Sequence, residues 1–227
     1  MFFLYGASRA ATPHPRRAMA PQPKPAPRPL APEEYLEQER ASEFRSEYVA
    51  GEIFAMSGAS PAHNTIALNV AAELRAQLRG RRCSVFISDM RVKTFKRAYR
   101  YPDVVALCGE PRFDDSQRDT LLNPSLIVEV LSESTEKVDR GEKFSEYRRL
   151  ESLREFVLVS QHRPQVERYE RRDDLWVLSD FTELEQRVEL PSIGCTLTLG
   201  DIYERVEFAA VSAGDTGEEM EAVPSPS

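Results

Sequence analysis

The feature that most constrains this chain is a carboxylate inside an apolar strand. In "NPSLIVEVLS", residues 123–132, strand alternation assigns Ile127, Glu129 and Leu131 to one face and Leu126, Val128 and Val130 to the other. Both faces are apolar apart from Glu129, so the strand belongs in a sheet covered on both sides. An ionised carboxylate there is costly unless a cation or a hydrogen-bond donor meets it. A second acid raises the same question. In "RAYRYPDVVAL", residues 97–107, Asp103 stands at the mouth of the apolar run Val104–Leu107, straight after Pro102. Proline donates no hydrogen bond and is at home where a strand begins.

The order of elements sets the fold class. "APEEYLEQER" (31–40) opens a short helix, with Pro32 and two acids in its first turn. "RSEYVAGEIFAM" (45–56) reads as a hairpin turning at Ala50-Gly51. The clearest helix is "SPAHNTIALNVAAELRAQLRG" (60–80). Ser60 is its cap, Pro61 its first position and Gly80 its end, and Ile66, Val70, Leu74 and Leu78 form its apolar stripe. Strands follow at 83–88, 92–95, 103–107 and 125–131, then a helix at about 136–150 despite Gly141, then a strand at 155–160. A strand, a crossover helix and a strand imply a parallel pair of right-handed crossover. Residues 165–199 add antiparallel strands, and a short helix closes at 200–206. The expected fold is α/β (α+β): a mixed sheet flanked by helices, with an N-terminal hairpin and C-terminal antiparallel strands. Trp176 is expected in the core.

This domain is expected to span residues 31–206. Residues 1–30, rich in Pro and Ala, and the acidic tail 207–227 are expected to be disordered. Met1 and Met19 are both candidate starts. No apolar run is long enough to span a membrane, and "MFFLY" lacks the basic region of a secretory signal. A cytoplasmic protein with no membrane partner is therefore expected. Cys83, Cys108 and Cys195 fit no zinc spacing and are read as reduced core thiols. His14, His63 and His162 are scattered, and no GxSxG elbow is present, which argues against a histidine metal site and a serine hydrolase.

The net charge of −7 argues against indiscriminate adhesion to nucleic acid. Against that background "MRVKTFKRAYR" (90–100) carries Arg91, Lys93, Lys96, Arg97 and Arg100 with no acid between them, and "RGRR" lies at 79–82. The first run is the candidate phosphate-contacting surface. Asp103 and Glu129, on neighbouring strands, suit one hard cation with waters completing its shell. Asp139, Lys143 and Tyr147 recur every fourth residue on the helix after the Glu129 strand, so Lys143 can reach the same place. His63 and Tyr147 are minor site candidates. Asp89 is expected to shape the "ISDM" turn.

Taken together, "YVAGEIFAMSGASPAHN", "VFISDMRVK", "YPDVVAL", "NPSLIVEVLSEST", "DRGEKFSEYRRLESLREFVLVS" and "IYERV" resemble the Uma-two family of restriction-endonuclease-like proteins, within the PD-(D/E)xK nuclease superfamily. The resemblance runs from about residue 32 to 206. It implies a restriction-endonuclease-like core in which Asp103 and Glu129 match the metal-binding acids, for Mg2+ or Mn2+. Glu52, in the "GE" of the hairpin, matches a further family acid, which the resemblance adds to the catalytic and metal-binding set. The superfamily lysine stands two residues after the second acid, where this chain has Leu131, and Lys143 is the expected replacement. The activity implied is metal-dependent hydrolysis of DNA phosphodiester bonds by an endonuclease. DNA is the expected partner, and a homodimer is one assembly open to it. The alternatives are a catalytically weak or inactive nuclease-like fold acting as a nucleic-acid-binding or interaction module, and a phosphoesterase acting on RNA or small nucleotides.

Overall fold

The computed structural model describes residues 28–94 and 98–208. Most of the N-terminal segment and of the acidic tail lies outside these residues, as do Lys96 and Arg97 of the basic run.

The centre is a six-stranded mixed sheet. Its strands are β3 (Cys83–Ile87), β6 (Val104–Cys108), β8 (Leu126–Leu131), β9 (Glu155–Ser160), β10 (Val166–Arg172) and β11 (Leu175–Phe181), in the order β11-β10-β9-β8-β6-β3. The parallel pair expected around the crossover is present: β8 and β9 run parallel, while β6 is antiparallel to both β3 and β8.

The two faces of β8 separate as alternation requires. Leu126, Val128 and Val130 join a core layer with Ile66, Val70 and Leu74 of α2 (Pro61–Gln77), the ribbon β12–β13 (Arg187–Leu190, Cys195–Thr198) and the last helix α5 (Leu199–Ile202). Ile127 and Leu131 join the opposite layer with Phe156, Leu158 and Tyr147. The α2 helix starts where its sequence says it should: Ser60 Oγ accepts the amide of His63 at 3.1 Å and Pro61 occupies the first turn. Its stripe Ile66, Val70, Leu74 and Leu78 is fully buried.

A second, five-stranded sheet closes one end of the molecule in the order β2-β1-β5-β4-β7. It comprises β1 (Ser46–Val49), β2 (Glu52–Ala55), β4 (Arg91–Lys93), β5 (Tyr99–Arg100) and β7 (Thr120–Leu121). The β1–β2 hairpin turns on Ala50 and Gly51, both at positive φ (51° and 104°). That is the backbone of a two-residue hairpin turn and favours glycine at the second position. Tyr35 and Leu36 of α1 (Pro32–Ala41) pack on Tyr48 and Tyr99 of this sheet.

Three expectations are corrected. The helix at about 136–150 is not regular: α3 (Glu136–Val138) gives way to a π-helical turn (Asp139–Lys143) before α4 (Phe144–Tyr147). Gly141 lies in that turn and offers the helix no side-chain packing. The reading of three reduced thiols fails, because the β3–β6 register sets Cys83 opposite Cys108 with Cα atoms 4.0 Å apart and the two form a disulfide. Only Cys195, buried, is unbridged among the described cysteines. Trp176 is half-buried rather than in the core, lying edge-on to Phe144 with the Arg171 guanidinium 4.8 Å above its ring. No helix among the described residues is long and apolar enough to cross a membrane.

Candidate functional site

The acids that opened the sequence question share one cleft of about 780 Å³. The β6–β8 register pairs Val104 with Val128, so one step further Asp103 comes opposite Glu129. With Pro102 ahead of it, Asp103 stands at the start of β6, and its Oδ2 accepts the Val130 amide at 2.7 Å. Its Oδ1 lies 2.9 Å from Nε2 of His63, in the first turn of α2. His63 thus reaches the cleft because Ser60 and Pro61 start the helix just before it.

Glu129 is buried on the β8 face that also carries Leu131. Its Oε1 accepts from the Lys143 ammonium at 3.2 Å and from the Tyr147 hydroxyl at 3.0 Å. Lys143 lies 3.0 Å from Asp139 Oδ1 and 3.5 Å from Glu47 Oε1, so three carboxylates surround one buried cation. Asp139 and Lys143 both come from the π-helical turn, whose wider winding recurs at functional sites. Arg100 extends the chain of charges, pairing with Glu47 and Glu146 at 2.8 Å each.

Burial pushes the Glu129 carboxyl well above the ordinary carboxylate range; Lys143 opposes that shift, and Asp139, Asp103 and Glu47 add to it. Burial also works against the Lys143 ammonium, but Glu129, Glu47 and Asp139 outweigh it and raise its pKa. Lys143 is therefore a firmly held cation and not a general base. Burial raises the Tyr147 hydroxyl well above its usual range, and the Glu129 charge raises it further, so Tyr147 keeps its proton and donates a hydrogen bond to Glu129.

The other sequence candidates fall elsewhere. Glu52 is exposed and does not line the cleft. In the hairpin register it faces Val49, while the acid that reaches Lys143 and Arg100 is Glu47, two residues nearer the cleft along β1. Sequence reasoning missed Glu47; its one signal was a carboxylate on the same strand face as Val49. The described members of the basic run expected to contact phosphate are each held by acids of the chain. Arg91 is buried against Asp119 (2.5 Å) and the Tyr101 hydroxyl, Lys93 pairs with Asp114 (2.7 Å), and Arg100 is held as above. Buried cations need paired acids, and these come from distant parts of the chain. Arg79, Arg81 and Arg82 are exposed, but beyond the far end of α2 from His63. Arg140 pairs with Glu136 at 2.8 Å and with Glu167. Asp89 sits in the turn expected of it, exposed, 3.4 Å from Arg45.

Six carboxylates line the cleft (Glu47, Asp103, Glu129, Glu133, Asp139 and Glu142) against two cations, Arg100 and Lys143. Among the described residues no three His, Cys, Asp or Glu side chains converge as a ready-made metal cage. The surplus charge and the all-oxygen donors still fit a hard divalent cation held by Asp103 and Glu129, because magnesium is commonly bound through one or two carboxylates and keeps waters. Both donors of Glu129 approach Oε1, which leaves Oε2 outside those contacts.

A mixed sheet between helices, with a paired-acid cleft at one end, defines a nuclease-like fold of the restriction-endonuclease kind. Residues 32–200 match the family described as "Uma2: Putative restriction endonuclease", and the chain belongs to that family. Two relatives come from Synechocystis sp. The "Uncharacterized protein sll1609" is 36% identical over 69% of this chain and 89% of its own length, and the "Uncharacterized protein slr1290" is 35% identical over 83% and 96%. The fold is also that of "a putative nuclease belonging to DUF820" from Anabaena variabilis, with a TM-score of 0.63 at 18% identity, over 77% of this chain and 98% of the other.

Proposed function

We propose that this protein is a metal-dependent endonuclease that hydrolyses DNA phosphodiester bonds. The observation that carries the reading is the placement of Asp103 opposite Glu129 in one cleft, with the Lys143 ammonium 3.2 Å from Glu129. Asp103 and Glu129 would hold Mg2+ or Mn2+, which when bound supplies an activated water and neutralises charge on the phosphate. His63 orients Asp103 through Nε2. Lys143, fixed by Asp139 and Glu47, supplies a permanent positive charge beside Glu129, and Tyr147 steadies that carboxylate from the core side. Glu47 positions Lys143 and Arg100 and takes the supporting role expected of Glu52.

The test is cleavage of plasmid and linear DNA with Mg2+, with Mn2+ and with chelator, beside an Asp103→Asn variant. Metal-dependent cleavage that the variant lacks is the expected result. No cleavage with either metal at any salt would overturn the assignment. One observation favours a second reading, a nuclease-like binding module without turnover: Lys143 is already enclosed by three carboxylates. Metal-dependent nucleic-acid binding without cleavage in the same assay would support that module.

A further inference from the structure

Among the described residues, the cleft lining has too few available cations to hold a nucleic-acid backbone in the usual way. Its two lining cations are each bound to carboxylates: Arg100 to Glu47 and Glu146, Lys143 to Glu129, Asp139 and Glu47. Six lining carboxylates repel phosphate. Affinity for nucleic acid through phosphate contacts and counterion release requires the reverse balance.

What the cleft rim does present is apolar. Every residue of β2 is exposed, and Phe54 and Met56, 48% and 41% exposed, both line the cleft. Phe54 is directly opposite Glu47 in the hairpin register, and residues opposite one another in an antiparallel pair share a face. Phe54 therefore stands on the same side of the ribbon as the acid that reaches Lys143. A single exposed phenylalanine is unremarkable on a protein surface. One beside a paired-acid cleft, with a methionine on the same rim, offers an apolar surface to a base. Exposed aromatic rings bind single strands by stacking bases on them. A duplex offers no base face there without first being unstacked.

We propose that the cleft takes a nucleic-acid strand with unpaired bases, one of which stacks on Phe54 while Met56 packs beside it. Base stacking then supplies the affinity that the acidic lining denies to phosphate. The inference deepens the nuclease reading and rests on it for the position of the scissile bond.

The test measures binding and chemistry separately. Fluorescence anisotropy in calcium buffer compares a labelled oligothymidylate, an abasic strand of equal length and a blunt duplex. The same wild-type preparation is assayed in Mn2+ with bis(p-nitrophenyl) phosphate, a diester that carries no base. The expected result is that the oligothymidylate binds about tenfold or more tighter than either competitor. Phe54→Ala should remove most of that preference and Phe54→Trp should keep it. The side chain is half exposed, so neither change removes a core residue. Duplex or abasic strand bound as tightly as oligothymidylate, or an unchanged preference in Phe54→Ala, overturns the proposal. Hydrolysis of the base-free diester without base preference sinks stacking and leaves the nuclease reading standing. Base preference with no Mn2+-dependent cleavage of the oligothymidylate itself sinks the nuclease reading and supports stacking.

Discussion

Two ion networks in this molecule use the same residue types to opposite effect. In one, Arg40 and Arg91 meet Asp115 and Asp119, two cations with two acids. Hydrogen bonds from Arg40, reinforced by the Arg91 charge, hold the Asp119 carboxyl far below the usual range. In the other, Glu47, Glu129 and Asp139 crowd around Lys143, and burial pushes Glu129 well above that range. A balanced network is at rest and accounts for itself as structure. An unbalanced one holds an acid in a state that a further cation would relieve, a pattern that recurs at functional sites.

The sharpest way to break this contrast is to remove one cation from each network. Lys143→Met leaves three carboxylates buried around an apolar side chain. It should cost about 3–5 kcal/mol of stability in metal-free buffer, the scale for breaking a buried pair. Turnover should fall by about a hundredfold or more, as when a positioned charge is lost from a reacting centre. Arg40→Met, in the balanced and partly exposed network, should cost about 1 kcal/mol or less and leave DNA cleavage at the parental rate. Urea denaturation and an initial-rate assay check both. Equal losses in the two variants would erase the distinction.

Metal should then repair the unbalanced network alone. An ion that binds only the folded state at a hundred times its dissociation constant adds about 2.7 kcal/mol. Mg2+ or Mn2+ should raise the Tm of the parent and of Arg40→Met, and should leave Asp103→Asn unmoved. A rise of equal size in Asp103→Asn would take the ion out of this cleft.

What could be read in advance, and what could not, follows the same division. The alternation of Leu126–Leu131 assigned each side chain to its face, because a strand offers only two. Ser60, Pro61 and the stripe from Ile66 fixed α2, because those signals are local. The fates of Arg91, Lys93 and Arg100 were not local. Their partners Asp119, Asp114 and Glu146 lie many residues away, and only the folded sheet brings them together. The Cys83–Cys108 bridge was hidden for the same reason, since it depends on the β3–β6 register. Nothing in the sequence distinguishes a basic run that faces water from one that turns inward to meet such acids.

Stability against pH should separate the networks by sign. The Glu129 pKa is higher in the folded state than its ordinary 4.5, so its contribution is fully present below that value and is lost as pH rises through the elevated folded pKa. The Asp119 pKa is lower in the folded state than its ordinary 3.8, so its contribution is present above that value and is lost as pH falls. In chelator, Glu129→Gln should flatten the loss on the rising side, by up to about 1.4 kcal/mol per pH unit within the window. Asp119→Asn should flatten it on the falling side, below 3.8. Difference curves of the same sign would show that both carboxylates belong to one kind of network.

The smallest effect is expected at Glu52, and it is informative because Glu47 lies just across the hairpin. Glu47 meets Lys143 and Arg100 and accepts the Tyr101 amide at 3.2 Å. Glu47→Gln removes the charge while keeping an acceptor, so Lys143 loses one of three anchors and Arg100 one of two. Loss of activity with only modest loss of stability is expected, at an unchanged metal requirement. Glu52 faces the same side of the ribbon from its turn end, exposed, across from Val49. One side-chain repeat along a strand is about 6–7 Å, which is enough to take its carboxylate out of the network. Glu52→Gln should therefore change stability by no more than about 0.5 kcal/mol and leave the rate of DNA cleavage at the parental value. If Glu52→Gln lowers the rate as far as Glu47→Gln does, the hairpin closes over the cleft when substrate binds, and the supporting acid is shared between its two strands.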